Sequence, residues 1–186
     1  DVMIRTLEPQ LSAALGQALV IDNRGGAGGN IAATEVIRNG GDGHTLLVTV
    51  TTTESVNPAM FPNLPFDPKR DLQHVALLAN SQLFRVVKPQ LAVNSVKELV
   101  ALAKAKPGGL SYGSPGAGTT PHLAGELFKQ SAGIFATHIP YRGAAPVIQD
   151  VAAGQLDFAF VPGTAFPMVK AGRMKLLAVA SRQRTD

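Results

Sequence analysis

The chain has 186 residues, of which 45% are hydrophobic and 16% charged, a globular composition that excludes a disordered or acidic solvating protein. It contains no cysteine, which excludes disulfide scaffolds, cysteine-ligated zinc and cysteine nucleophiles. The 17 Lys and Arg residues against 13 Asp and Glu give a net charge of +4, which suits an anionic small ligand as well as nucleic acid. Aromatic residues, at 5%, are sparse for stacking on nucleic-acid bases.

The first half of the chain alternates between predicted helices and short apolar strands. Apolar residues recur at helical spacing from position 2 to 15, and a second helix follows the glycine-rich stretch 25–30. The helix predicted at 95–106 has clear ends, because Ser95 and Glu98 form a capping box and a Pro-Gly-Gly sequence follows. Strands are predicted at 18–21, 46–50, 75–78 and 83–87.

The second half repeats this alternation. Strands are predicted at 110–113, 136–140, 156–161 and 176–180, with helices at 121–131, at 146–153 and from about 164 toward 170. Pro121 suits the first position of its helix. The alternation predicts an α/β fold with mostly parallel sheets and helices outside them. A change of lobe is predicted near Lys88, where a strand gives way to a polar connector.

Four loops that follow predicted strands consist of glycine, hydroxyl-bearing and other small residues, namely 25–30, 51–55, 114–120 and 141–145. Ligands of open α/β sheets bind beyond the carboxyl ends of the strands, where glycine and helix N-termini present backbone N–H groups. These loops therefore predict a site for a carboxylate or phosphate. The evidence for such a site is strongest for the loop 114–120. The alternative is that this loop is a tight turn in which Thr119 or Thr120 only caps the helix.

Motifs for other chemistries are missing. The glycine-rich loops neither complete a dinucleotide fingerprint nor end in Gly-Lys-Ser/Thr, and the four histidines form no zinc-binding pair. Ser114 lacks the spacing of a nucleophile elbow, and neither it nor His122 has a visible acid–base partner, so an enzyme remains an alternative without a supporting motif. His122 is interpreted as a helix-start contact and Asp157 as a structural turn acid. Arg142 either pairs with a carboxylate or is solvated.

Conspicuous motifs occur along nearly the whole chain. They are VIDNRGGAGGNI at 20–31, DGHTLL at 42–47, NPAMF at 57–61, SYGS at 111–114, HLAGELF at 122–128, HIPYRG at 138–143, GQLD at 154–157, KAGR at 170–173 and LAV at 177–179. In sequence and in order they resemble the Bug-type periplasmic substrate-binding proteins of tripartite tricarboxylate transporters.

This resemblance implies a type II periplasmic-binding-protein fold, in which two α/β lobes with mostly parallel sheets and flanking helices close on a ligand. It divides the chain into an incomplete lobe 1 at 1–87, a lobe 2 at 88–181 and the start of a return crossover at 182–186. Family members begin with a strand and a loop upstream of this segment and continue beyond its last residue. The chain is therefore expected to be an internal piece, incomplete at both ends.

The implied function is that of a periplasmic solute receptor, which captures an organic acid or amino acid between its lobes and delivers it to the membrane permease subunits. Such a receptor is not an enzyme, is monomeric and needs no cofactor, metal or nucleic acid. The signal peptide that this location requires is not present in the chain. The alternative is the ligand-sensing effector domain of a LysR-type regulator, which has the same architecture.

Family ligands are held by backbone and hydroxyl groups, often through water. Carried over by position, the ligand-binding candidates are Thr51, Thr52 and Thr53 in lobe 1, and Ser114, Gly116, Gly118, Thr119, Thr120, His122, Tyr141 and Gly143 in lobe 2. This sequence departs from the family at Val161-Pro162, where many relatives carry Asp-Asn, so ligand contacts should differ there. It also has Gly25 where relatives often have Pro, which should alter the stiffness of the loop more than its chemistry.

Overall fold

The computed structural model describes residues 2–183 and divides into two compact units, the first ending at Gln73 and the second beginning at His74. This division comes earlier than the predicted change of lobe after position 87, because the strand Phe84–Val87 pairs within the sheet of the second unit. The assignment of 1–87 and 88–181 to two lobes of a complete receptor stays a prediction. Positions 184–186 of the predicted return crossover lie outside the described residues.

The first unit is built from helices. They are α1 (Val2–Leu15), α2 (Asn30–Asn39), α3 (Thr52–Ser55), α4 (Asn57–Met60) and α5 (Pro68–Asp71), with a 3-10 turn at Ala27–Gly29. The first two confirm the helices expected from the spacing of apolar residues. Asn57 is fully buried, and its Nδ2 donates to Gly28 O at 3.0 Å and to Asn30 Oδ1 at 2.6 Å. A buried amide thus ties the glycine-rich loop to the start of α4.

Three predicted strands, at 18–21, 46–50 and 75–78, are wrong: these segments have no regular secondary structure. A strand forms only where a neighbour completes its ladder of hydrogen bonds, and none of the three pairs with another strand within residues 2–183. Most of their apolar side chains are exposed, with Val20 at 93% and Leu77 at 78%. A short apolar run indicates that a segment can form a strand, but it does not specify the neighbouring strand with which the segment would pair.

The second unit contains one five-stranded sheet. Its strands are β1 (Phe84–Val87), β2 (Ser111–Ser114), β3 (Thr137–Pro140), β4 (Phe158–Val161) and β5 (Lys175–Val179), in the order β3-β2-β4-β1-β5. β2 is parallel to both β3 and β4, whereas β1 is antiparallel to β4 and β5. Four strands therefore share one direction, and the predicted α/β fold with mostly parallel strands is confirmed with β1 as the exception.

Helices cover both faces of this sheet: α6 (Val96–Ala105), α7 (Thr120–Ala132), α8 (Ala144–Ala152) and the short α9 (Phe166–Lys170). The start of α6 follows the predicted capping box, since Ser95 Oγ accepts from Glu98 N at 3.2 Å. The carboxylate of Glu98 accepts from Asn94 N at 2.8 Å, one residue earlier than a capping box requires. The backbone N–H groups of Asn94 and Glu98, at the two ends of this turn, therefore both have acceptors. Within residues 2–183, no helix is both long and apolar enough to cross a membrane.

The central strand β4 has both faces buried. Phe158 and Phe160 join the apolar cluster that includes residues of α6 and α7, while Ala159 and Val161 join the cluster that includes α8. This alternation follows from the two-residue period of a strand. The carboxylate of Asp157, just before β4, accepts from Ser111 N at 2.7 Å and forms an ion pair with Lys88 Nζ at 2.7 Å. Its interpretation as a structural acid is confirmed.

The contact between α7 and β2 depends on a glycine. A Cβ added at Gly125 would lie 2.7 Å from Cζ of the buried Tyr112 and closer still to its Cε2. We expect Gly125→Ala to lower the free energy of unfolding by about 1–3 kcal/mol, because the core cannot absorb the overlap. Urea unfolding followed by circular dichroism measures this change.

Gly163→Ala is the matched control for this substitution. A Cβ there would make an ordinary 3.5 Å contact with Phe166 Cε2, so we expect a much smaller change in stability. Equal losses of stability in the two variants would contradict the packing argument.

Candidate functional site

The parallel pairing of β2 with β3 brings two loops to the same edge of the sheet. Tyr141 N donates to Ser114 O at 2.9 Å, and Gly143 N donates to Pro115 O at 3.3 Å. We refer to the loops 115–119 and 141–143, together with the first residues of the helices that follow them (120–122 and 144–145), as the paired corner. Helix α7 begins directly after the first loop and α8 directly after the second. The two small-residue loops of this unit therefore meet beyond the carboxyl ends of β2 and β3.

Side chains of the loop itself fix the conformation of 115–119. Ser114 Oγ accepts from Gly116 N at 3.2 Å and lies 3.1 Å from Gly116 O, while Thr119 Oγ1 donates to that same carbonyl at 2.7 Å. Gly116 has φ +140° and Gly118 has φ +79°, which L side chains rarely adopt. The loop therefore needs glycine at both positions.

Several backbone amides of the paired corner have no acceptor. Within residues 2–183, the N–H groups of Ala117, Thr120 and His122 donate to no atom of the chain, and the same is true of Ala144 and Ala145 at the start of α8. Unpaired amides at a helix N-terminus attract anions, because the helix dipole adds to their partial charge. The paired corner thus offers two helix N-termini held side by side.

The hydroxyl groups predicted to bind ligand are mostly occupied. Those of Ser114 and Thr119 are engaged within the loop, and Tyr141 Oη donates to Asp150 Oδ2 at 2.5 Å. Thr120 is exposed, and its hydroxyl makes no hydrogen bond to the described chain. Neither Thr119 nor Thr120 caps α7 through its side chain. Among these four hydroxyl-bearing candidates, Thr120 alone has a free hydroxyl.

The threonines of the first unit lie in the turn that begins α3. Thr51 is exposed, whereas Thr52 and Thr53 are buried. Thr53 Oγ1 lies 2.7 Å from Thr49 Oγ1 and 3.3 Å from Gly28 O, so it is committed to the fold. The buried hydroxyl of Thr52 has no partner among the described residues. Their contact with a ligand stays a prediction.

An imidazole lies beneath the paired corner. The ring of His138, on β3, stacks on Tyr112 with 4.8 Å between ring centroids and lies tilted against the ring of His122 at 4.3 Å. His138 Nε2 lies 2.7 Å from Ser114 Oγ. The expectation that Ser114 has no acid–base partner is therefore wrong. Because Ser114 is fully buried and its oxygen is engaged within the loop, this contact holds the loop rather than exposing a nucleophile.

His122 occupies the first turn of α7, where its Nδ1 accepts from Gly118 N at 3.2 Å. This confirms its interpretation as a helix-start contact. Sequence analysis missed His138 as a site residue because the pairing of β2 with β3 places it opposite Tyr112. The available signal was local: Tyr112 and Ser114 stand two residues apart on one face of β2, so a residue beside them on the next strand could reach both.

The two histidines are kept neutral by their surroundings. Burial, reinforced by neighbouring His122, lowers the pKa of His138 to about 4. Burial also lowers the pKa of His122, against the opposite effect of Glu126. Burial opposes ionisation of Glu126, but hydrogen bonds from Lys129 and Tyr112 outweigh it and lower its pKa. Positive potential at the paired corner therefore comes from backbone amides rather than from imidazolium groups.

A third parallel strand, β4, ends at the same edge, but the residue that follows it provides no backbone N–H donor. Pro162 follows Val161 and has no N–H to donate. The exposed Arg142 lies in the paired corner. Thr120 also borders a cavity of about 420 Å³, whose other lining side chains are mainly apolar and include Leu83, Leu123 and Leu127. No group of three or more potential metal ligands occurs within residues 2–183.

Comparison with known proteins points to one family. A family model described as the tripartite tricarboxylate transporter family receptor matches residues 3–186. The chain is 32% identical over 188 residues to Protein BugT of Bordetella pertussis, an alignment that covers 100% of this chain and 57% of BugT. It spans just over half the length of the curated relatives that it matches along its whole length.

Two solved structures with bound acids have the same fold. R. palustris Rpa4515 with adipate superposes with a TM-score of 0.95 at 34% identity, covering 99% of this chain and 62% of that one. MatC (Rpa3494) from Rhodopseudomonas palustris with bound malate superposes with a TM-score of 0.91 at 28% identity, covering 99% and 63%.

The low pKa of His138 predicts a pH dependence. Folded His138 stays neutral down to about pH 4, whereas in the unfolded chain it takes up a proton near pH 6.5. We therefore expect the stability present above pH 6.5 to be lost as the pH falls toward 4. The groups that face this ring are Tyr112, Ser114, His122, Glu126 and Lys129.

Urea unfolding at pH 7.5 and 4.5 measures this effect in the wild type and in His138→Gln. The wild type should lose more stability than the variant, because glutamine does not titrate. His44→Gln, at an exposed histidine of the first unit, should lose as much as the wild type. A pH-dependent loss of stability that is the same with and without His138 would rule out this linkage.

Proposed function

The chain belongs to the tripartite tricarboxylate transporter receptor family, and we propose that it is the part of a periplasmic receptor that captures a small carboxylate for the membrane permease. Family and fold are those of solute-binding receptors rather than of enzymes. The ligand class, the permease partner, the periplasmic location of this chain and a monomeric state belong to the proposal.

The observation that carries the proposal is the paired corner. Two helix N-termini and five unpaired amides lie at one edge of the sheet, held together by the bonds from Tyr141 and Gly143. A carboxylate oxygen can accept several such N–H groups at once, and bonds to a charged acceptor are about twice as strong as neutral ones. The site therefore suits an anion without requiring a cationic side chain.

The surroundings of the corner favour a carboxylate that carries an aliphatic body. The cavity beside Thr120 has apolar walls from Leu83, Leu123 and Leu127, and apolar ligand surface gains about 25 cal/mol per Å² on burial. Two solved relatives support this ligand class, since one holds adipate and the other malate. Because the chain spans just over half of its curated relatives, the activity of the complete receptor is part of the proposal.

We expect dicarboxylates to raise the melting temperature of the receptor through mass action, since they bind only the folded state. A thermal-shift screen should include adipate, malate, citrate, glutamate and benzoate. Adipamide is the matched control, because it has the carbon chain of adipate but no negative charge. Flat responses to all the acids, or an equal response to adipamide, would contradict the proposed function.

The free hydroxyl of Thr120 provides a residue-level test. We expect Thr120→Val to weaken binding of the acid that gives the largest thermal shift by about 1–3 kcal/mol, because its hydroxyl is placed to bond the anion or an intervening water. Isothermal titration calorimetry measures the loss.

Thr137→Val is the matched control for Thr120→Val. Thr137 is an exposed threonine at the beginning of β3, at the opposite end of the strand from the paired corner, and its replacement should leave affinity unchanged. Equal affinity in the two variants would remove Thr120 from the site.

A further inference from the structure

The paired corner can bind an anion only if the loop 115–119 keeps its unpaired amides in place. Two imidazoles hold the two glycines of this loop. His122 accepts directly from Gly118 N, and His138 bonds Ser114, whose oxygen accepts from Gly116 N. The three unpaired amides of Ala117, Thr120 and His122 lie between or just beyond these fixed points.

The bond between His138 and Ser114 completes the hydrogen bonding of a buried group. The Ser114 hydroxyl has one proton and is fully buried, so it cannot turn to water. At 2.7 Å, the contact with Nε2 is the shortest that its oxygen makes. Whichever tautomer the imidazole adopts, removing this nitrogen takes away the shortest contact of Ser114 and leaves its rotamer held only by the two longer contacts with Gly116.

The orientation of the His138 ring is itself fixed. Tyr112 forms one wall of the stack, and its hydroxyl donates to Glu126 Oε1 at 2.5 Å. Glu126 is in turn bonded by Lys129 Nζ at 2.8 Å. The imidazole is therefore held against a tyrosine that α7 anchors, in an orientation that places Nε2 2.7 Å from Ser114 Oγ.

We propose that His138 is a positioning residue of the receptor: through Ser114 it fixes the turn at Gly116 and so keeps the amides of the paired corner directed at one carboxylate. His138 does not touch the ligand in this arrangement. The inference rests on the proposed function for its ligand, while the link from His138 to Gly116 can be measured without any ligand.

Two substitutions separate the hydrogen bond from the ring stack. His138→Phe keeps a ring between Tyr112 and His122 but removes the nitrogen, whereas His138→Gln keeps a polar atom near the position of Nε2 but removes the ring. We expect His138→Phe to weaken adipate binding about tenfold, as for one lost hydrogen bond, and His138→Gln to restore most of the affinity. His44→Phe is the control, at an exposed histidine in the first unit.

Ser114→Ala tests the same link should His138→Phe fail to fold. It should weaken binding by a similar factor, and the double variant should bind no more weakly than either single variant, since both remove one connection. Additive losses in the double variant, or His138→Gln as weak as His138→Phe, would overturn the positioning role.

Amide hydrogen exchange of Gly116 separates this inference from the proposed function. Without ligand, exchange at Gly116 should be roughly tenfold faster in His138→Phe than in the wild type, and His138→Gln should stay close to the wild type. Unchanged exchange at Gly116 would overturn the inference even if the receptor binds adipate. A wild-type receptor that binds none of the acids would overturn the proposed function, and exchange would then decide the role of His138 alone.

Discussion

The parallel register between β2 and β3 is the constraint on which the candidate site depends. Ser114 pairs with Pro140, so β2 and β3 end side by side. Two backbone hydrogen bonds then join the loops that follow the strands. Each loop leads into a helix that starts with a proline in its first turn, so fewer of its initial amides need acceptors. A shift of this register by one residue would move His138 to the opposite face of the sheet and separate it from Tyr112 and Ser114.

Apart from the exposed Arg142, the positive potential of the corner comes from backbone dipoles rather than from charged side chains. Both histidines beneath it are held neutral by burial, and the ionised pair of Glu126 and Lys129 balances its own charge. Unpaired amides remain as the source of positive potential. Such a site can accept the carboxylate of many different acids, because the amides bind the carboxylate group and do not contact the rest of the ligand. Selectivity must then come from surfaces around the corner, such as the apolar wall beside Thr120.

The elements that the sequence predicted well are those whose signals are local. The capping serine at Ser95 marks the start of its helix through its own hydrogen bond to Glu98 N. The strands of the second unit were predicted from short, mainly apolar runs, and among them β4 is buried along its whole length. The same kind of run at 46–50 gave a wrong prediction, because a strand also requires a partner that the run does not specify. Prediction of the site was uneven for the same reason. The sequence identified the loops, but it did not show that the hydroxyl groups of Ser114, Thr119 and Tyr141 form hydrogen bonds within the protein.

The sequence by itself determined the α/β alternation, the small-residue loops, the absence of a nucleotide motif and the resemblance to a receptor family. Each of these features depends on residues that are close together in the chain. The tertiary structure alone decided which loops meet, which amides remain free, and that His138 lies against Ser114. Those facts involve residues 24 or more positions apart, and their contacts are set by strand register and helix packing, which no local pattern specifies.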